Sequence, residues 1–109
     1  MGTLLHDGDQ DLLVNWRTWR PTVAIIAPLN LFDDKQIKLM FCNLNVEITE
    51  AQATCIASHI ESLLETDSGA IAKALTEEPG DGKLPLSDFK NWLSRFADFC
   101  RETNGFKVG

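Results

Sequence analysis

The segment that most limits what this chain can become lies near its C-terminus. Phe89, Trp92, Leu93, Phe96, Phe99 and Cys100 recur at intervals of three and four residues. At 3.6 residues per turn, that spacing gathers them on one side of a helix. Ser87 is a natural cap, so the spacing predicts a helix over about 88–103. Its apolar face is wide and aromatic, and the helix is expected to stand at the centre of the fold. The following Asn104-Gly105-Phe106 predicts a helix end in which Gly105 takes a left-handed conformation and Phe106 folds back near Cys100. Such a face is more apolar surface than a small monomer easily hides, so homo-oligomerisation is compatible with it.

The sharpest helix start lies upstream. Thr49-Glu50-Ala51-Gln52 is a capping box, in which Thr49 and Gln52 satisfy free N–H groups reciprocally. Ala53, Ile56, Ala57, Ile60, Leu63 and Leu64 then form one apolar stripe, predicting a surface helix over about 50–65. Ile37, Met40, Phe41 and Leu44 trace another stripe, begun by Asp33 and Asp34, whose carboxylates suit the positive end of a helix dipole. Asp67 or Ser68 can cap a shorter helix with Ile71, Ala74 and Leu75, and the segment 77–85 reads as an exposed loop. At the front, Thr18 is a candidate cap for a helix from Trp19 to about Ala27. Pro21 would sit in its first turn and Pro28 would end it. A strand over Thr22–Ile26 competes, because Val23, Ile25 and Ile26 are β-branched. Residues 1–14 read as an acidic arm, partly ordered, ahead of a single domain over 15–109.

The chain has 109 residues, enough for one domain that buries roughly 65% of its unfolded surface. Ten basic and sixteen acidic residues give a formal net charge of −6. That argues against nucleic acid, whose nonspecific binding runs on phosphate neutralisation, and favours a basic protein partner. No apolar run approaches the roughly 20 residues of a membrane span, and no export signal is read at the front. Cys42, Cys55 and Cys100 are odd in number and widely spaced, which suits reduced thiols in a cytoplasmic protein.

Candidate chemistry is sparse. Asp7-Gly8-Asp9-Gln10-Asp11 opens like a calcium loop, but Leu12 stands where the turn needs glycine and Thr18 where a bidentate Glu is needed. Cys55 and His59 are four apart on a predicted helix and could supply two zinc ligands or a nucleophile–base pair. No second pair accompanies them, and a buried cysteine beside a boundary histidine is the expected state. Gly80-Asp81-Gly82-Lys83 lacks the full phosphate-loop pattern. Glu61 and Glu65, and likewise Glu77 and Glu78, read as solvated surface. No cofactor pattern is present, and none is expected.

That leaves Asn15-Trp16-Arg17-Thr18-Trp19-Arg20-Pro21. Tryptophan and arginine are the types most enriched at binding hot spots. Trp19 is expected to anchor its helix against the aromatic face around Phe96 and Phe99. Trp16, Arg17 and Arg20 are the candidate contact residues. The same segment, together with Phe96-Ala97-Asp98-Phe99-Cys100-Arg101 and then Gly105-Phe106, resembles a group of small uncharacterised bacterial proteins. Their ends read Asn-x-Trp-x-Trp-Arg-Pro and Phe-x-x-Phe-Cys-Arg…Gly-Phe. This chain departs from that pattern in placing Trp16 directly after Asn15. The resemblance implies a bacterial, cytoplasmic helical domain and no particular activity.

The sequence therefore predicts an all-α fold, a compact bundle of four or five helices, with at most short extended pieces near Val46–Ile48 or Phe106–Val108. It favours a noncatalytic protein–protein interaction module, of inhibitor or immunity type, over an enzyme. Two alternatives stand beside it: a small-ligand-binding domain using Trp16, Arg17, Trp19 and Arg20, and a metal- or thiol-dependent enzyme at Cys55 and His59.

Overall fold

The N-terminal residues depart furthest from these expectations. The computed structural model describes residues 2–6, 8, 11–42, 46–77 and 84–108. In it, β1 (Gly2–His6) and β2 (Asp11–Asn15) form an antiparallel hairpin in the segment expected to be an acidic arm. Two further strands, β3 (Val46–Thr49) and β4 (Gly105–Val108), complete a four-stranded antiparallel sheet in the order β2-β1-β4-β3. The all-α helical bundle is thereby corrected: the fold is mixed α/β. The two short pieces near 46–48 and 106–108 are not isolated, since they pair with each other from Val46↔Val108 to Thr49↔Gly105.

The physical reason is legible in the side chains. β1 and β2 carry leucine on both faces, with Leu5 buried beside exposed Leu4, and Leu12 half-buried beside exposed Leu13. Doubled leucines blur the period-2 alternation that marks a half-buried strand. β3 and β4 do alternate, with Val46, Ile48, Phe106 and Val108 buried and Glu47 and Lys107 exposed.

Five helices among the described residues cover one face of the sheet. α1 (Trp16–Ile26) runs directly on from β2, three residues earlier than a Thr18 cap would allow. Thr18 is buried inside the helix, and its carbonyl accepts the Thr22 hydroxyl at 2.7 Å. Pro21 also lies within the helix, where its missing N–H leaves one intrahelical bond unmade. Thr22–Ile26 is helical, not extended. A 3-10 turn over Ala27–Leu29 follows, and Asn30 ends it in the left-handed region with φ 57°.

α2 (Asp34–Phe41) starts with a capping box of its own between Asp33 and Gln36. α3 (Glu50–Thr66) starts with the expected one: Gln52 N–H donates to Thr49 Oγ1 at 3.2 Å, and Thr49 N–H donates to Gln52 Oε1 at 2.9 Å. Gln52 Nε2 also donates to the Leu31 carbonyl at 3.1 Å, tying α3 to the turn before α2. α4 (Ser68–Glu77) is capped by Asp67, whose Oδ1 accepts the Ala70 N–H at 3.1 Å. α5 (Leu86–Glu102) buries Phe89, Trp92, Leu93, Phe96, Ala97, Phe99 and Cys100, the face the spacing predicts.

Phe96 is the hub of the core. Trp19 meets it edge-on at 6.0 Å, Trp92 stacks on it at 5.5 Å, and Phe106 meets it edge-on at 6.1 Å. Helix α1, helix α5 and strand β4 are joined through this one ring. Phe106 also contacts Phe99 at 5.2 Å, so the chain does fold back on the last turn of α5. Gly105 makes the reversal with φ +112°. A Cβ there would lie 2.9 Å from the Ile48 carbonyl oxygen, so strand pairing and backbone conformation both require glycine.

Candidate functional site

Tryptophan N–H groups must find acceptors when buried, and here they do. Trp19 is fully buried and donates its indole N–H to the Met40 carbonyl at 2.9 Å. Trp92 donates to Thr22 Oγ1 at 2.9 Å, and Thr22 passes its own proton on to the Thr18 carbonyl. Both rings are structural, so Trp19 offers no surface to a ligand. Arg20 is half-buried, with its guanidinium 5.4 Å from the centre of the Phe41 ring. The side chains of Trp16 and Arg17 lie outside the described residues. The structure thus brings Arg20 to Phe41.

Cys55 and His59 do share one side of α3, but Cys55 is exposed, against the expectation of a buried thiol. His59 is half-buried beside it. The buried cysteine is Cys100, whose thiol is pushed up to about 12 by burial. Among the described residues, no group of three or more His, Cys, Asp or Glu side chains gathers to hold a metal ion. Asp7, Asp9 and Gln10 of the calcium-like stretch lie outside the described residues, as do Glu78 and residues 80–83 and the side chain of Glu77. Asp11, the last carboxylate of that stretch, is in β2.

Glu61 is not a free solvated carboxylate. Arg101 of α5 holds it in a two-pronged pair, with Nε 3.0 Å and 2.8 Å from its two oxygens and a terminal nitrogen on Oε1. The same nitrogen lies 3.4 Å from Ser58 Oγ. Hydrogen bonding to Arg101 holds the Glu61 carboxyl below its usual range. The pair clips α3 to α5 at the surface.

The feature that the sequence does not signal is the outer face of the sheet, which no helix among the described residues covers. Directly opposite residues in an antiparallel sheet share a face. The register therefore sets Glu47, Lys107, His6 and Asp11 in one row across all four strands. Lys107 Nζ lies 3.5 Å from Glu47 Oε1, and His6 bonds Asp11 across the hairpin. Alongside that row, Leu4 faces Leu13, and the two are 38% and 74% exposed. At the β3–β4 end, an open concavity of about 440 Å³ is lined by His6, Gly8, Glu47, Thr49, Asn104 and Lys107, among others.

This face presents a broad surface, polar along one row and apolar beside it. Its charges are paired with one another across strands instead of converging on a point. Thr49, the hydroxyl in the concavity, is already the cap of α3. Period-2 placement of charge in V-E-I-T and F-K-V could have signalled an open sheet face, had the hairpin been recognised. No helix among the described residues is long and apolar enough to cross a membrane. Comparison with known protein families, characterised proteins and solved structures finds no match to this chain.

Proposed function

We propose that this protein is a noncatalytic protein–protein interaction module that docks through the outer face of its sheet, on the β1–β2 side. The observation that carries this reading is the Leu4–Leu13 pair, apolar and exposed on a face that no described element covers. Single exposed leucines are ordinary, but a registered pair beside an unpaired strand edge is a docking surface in kind. The row from Glu47 to Asp11 supplies a polar rim.

An inhibitor or immunity-type role in the cytoplasm of a bacterium fits the small size and acidity of the chain, and the resemblance carried by its two ends. Net charge of −6 favours a basic partner at long range. Exposed acidic side chains come from β2, α2, β3, α3 and α5, a scatter that counts against docking through an acidic patch and leaves the leucine pair to carry the reading.

The test is capture by chemical cross-linking in native extract, with the wild-type chain and Leu13→Lys as paired baits. A partner held by the first and lost by the second supports the reading. Capture that ignores the substitution, or no capture at all, refutes it.

A further inference from the structure

We infer that the free edge of β2 is a self-association site, at which two copies of this chain pair β2 against β2 in antiparallel fashion. The inference rests on the docking reading above, but fills that face with a second, equally acidic copy of the chain in place of the basic partner that net charge alone favours. It would join two four-stranded sheets into one continuous sheet.

Three observations carry it. β2 is the end strand of the sheet, flanked by β1 on one side, and no described strand pairs with its other edge. Soluble proteins blunt such edges with lysine, proline or a bulge, and Asp11-Leu12-Leu13-Val14-Asn15 contains neither residue and pairs with β1 in unbroken register. Its one charge, Asp11, is engaged by His6.

The segment is also self-complementary. A two-fold axis through Leu13 sets Leu13 opposite Leu13, Leu12 opposite Val14, and Asp11 opposite Asn15. Inward-facing positions then meet inward-facing ones, as the pleat demands, and no carboxylate meets a carboxylate. Because Leu4 already lies opposite Leu13, the outer face would carry an unbroken row of leucines: Leu4, Leu13, Leu13, Leu4. The most exposed large apolar side chain described, Leu13 at 74%, would be covered by its own copy.

One strand edge and a leucine row make a contact below the roughly 1,200 Å² of a standard interface, so the dimer is weak and micromolar. Two copies each carrying −6 repel at long range, while the contact itself is uncharged apart from the paired Asp11. Salt screens the repulsion, so the dimer tightens as ionic strength rises. Docking of a basic protein has the opposite salt dependence.

Sedimentation velocity on the purified full chain, from about 5 μM to about 500 μM at low and physiological salt, reads this directly. The wild type should dimerise with a dissociation constant that falls as salt is added. Leu13→Lys should raise that constant at least about tenfold, because it sets two ammonium groups opposite each other. Glu65→Lys, a charge change of the same sign on exposed α3, should not weaken the dimer. Leu13→Thr keeps β propensity and should also weaken it, which guards against a folding defect in the lysine variant. A wild type that stays monomeric throughout, a dimer indifferent to Leu13, or one loosened by salt overturns the inference. If the monomeric protein still captures another protein through Leu13, self-association alone falls. If it captures nothing, the docking reading falls with it.

Discussion

Thr22→Val isolates one link of the buried chain from Trp92 to Thr18. Valine keeps the size and β-branching of threonine, so helix propensity barely changes. What it removes is the hydroxyl that accepts the Trp92 N–H at 2.9 Å and donates to the Thr18 carbonyl at 2.7 Å. The Thr18 carbonyl is also the regular acceptor of the Thr22 N–H one turn on, so losing the hydroxyl leaves it satisfied. Among the described residues the indole N–H has no such second partner, so it becomes a buried, unsatisfied donor, costing about 1–3 kcal/mol. For a domain of this length, about 2 kcal/mol lowers Tm by roughly 8–12 °C. Trp92→Phe supplies the control, because it deletes the donor. In that background Thr22→Val should cost about 1 kcal/mol less than in the wild type. Urea unfolding followed by far-UV circular dichroism gives all four corners of the cycle without relying on Trp fluorescence. A cost below about 0.5 kcal/mol in the wild type, or the same cost in both backgrounds, would falsify the linked network.

Gly105→Ala should destabilise the protein by about 1–3 kcal/mol in the same urea assay, since φ +112° and the Ile48 carbonyl both exclude a Cβ. In the folded protein, a thiol reagent should label exposed Cys42 and Cys55 but reach Cys100 only on unfolding. The folded state keeps the Cys100 proton to about 12, whereas the ordinary thiol value is 9.0. The unfolded chain therefore binds fewer protons between those values, and stability falls as pH rises through that window, less steeply in Cys100→Val. Glu61 has the opposite sign. Its carboxyl is held below the usual 4.5, so the Arg101 pair contributes above that pH and is lost as pH falls through the lowered value. Urea midpoints of wild type and Glu61→Gln should converge at low pH, and a gap that persists there contradicts the assignment.

The helices were legible because their signals are local. Thr49 and Gln52 need only each other, and the stripe from Phe89 to Cys100 needs only its own spacing. The second capping box, Asp33 to Gln36, was open to the same reasoning, with aspartate in place of serine or threonine. The sheet was illegible because its order is set by distant partners. β1 gains its second neighbour from Lys107 and Val108, some hundred residues away, and Leu4 and Leu13 hide the alternation that would have marked the hairpin. The start of α1 was missed for a related reason: Thr18 looks like a cap locally, yet Trp92 draws Thr22, and with it that turn of the helix, into the core. The candidate site followed the same pattern. Trp19 was placed against Phe96 from sequence, but a docking face made of alternate residues on separate strands has no local signature.

The position of β4 sets a timetable for the molecule. It is an interior strand, lying between β1 and β3, yet it follows every other described element in chain order. As the polypeptide emerges from a ribosome, the hairpin and β3 appear early, with nothing to join them. The helices can form meanwhile, but Phe96 lacks its Phe106 contact and the hairpin has a bare inner edge. Only when residues 105–108 clear the exit tunnel can the sheet close, so the emergence of β4 is the step that joins the hairpin to β3 and gives Phe96 its Phe106 contact.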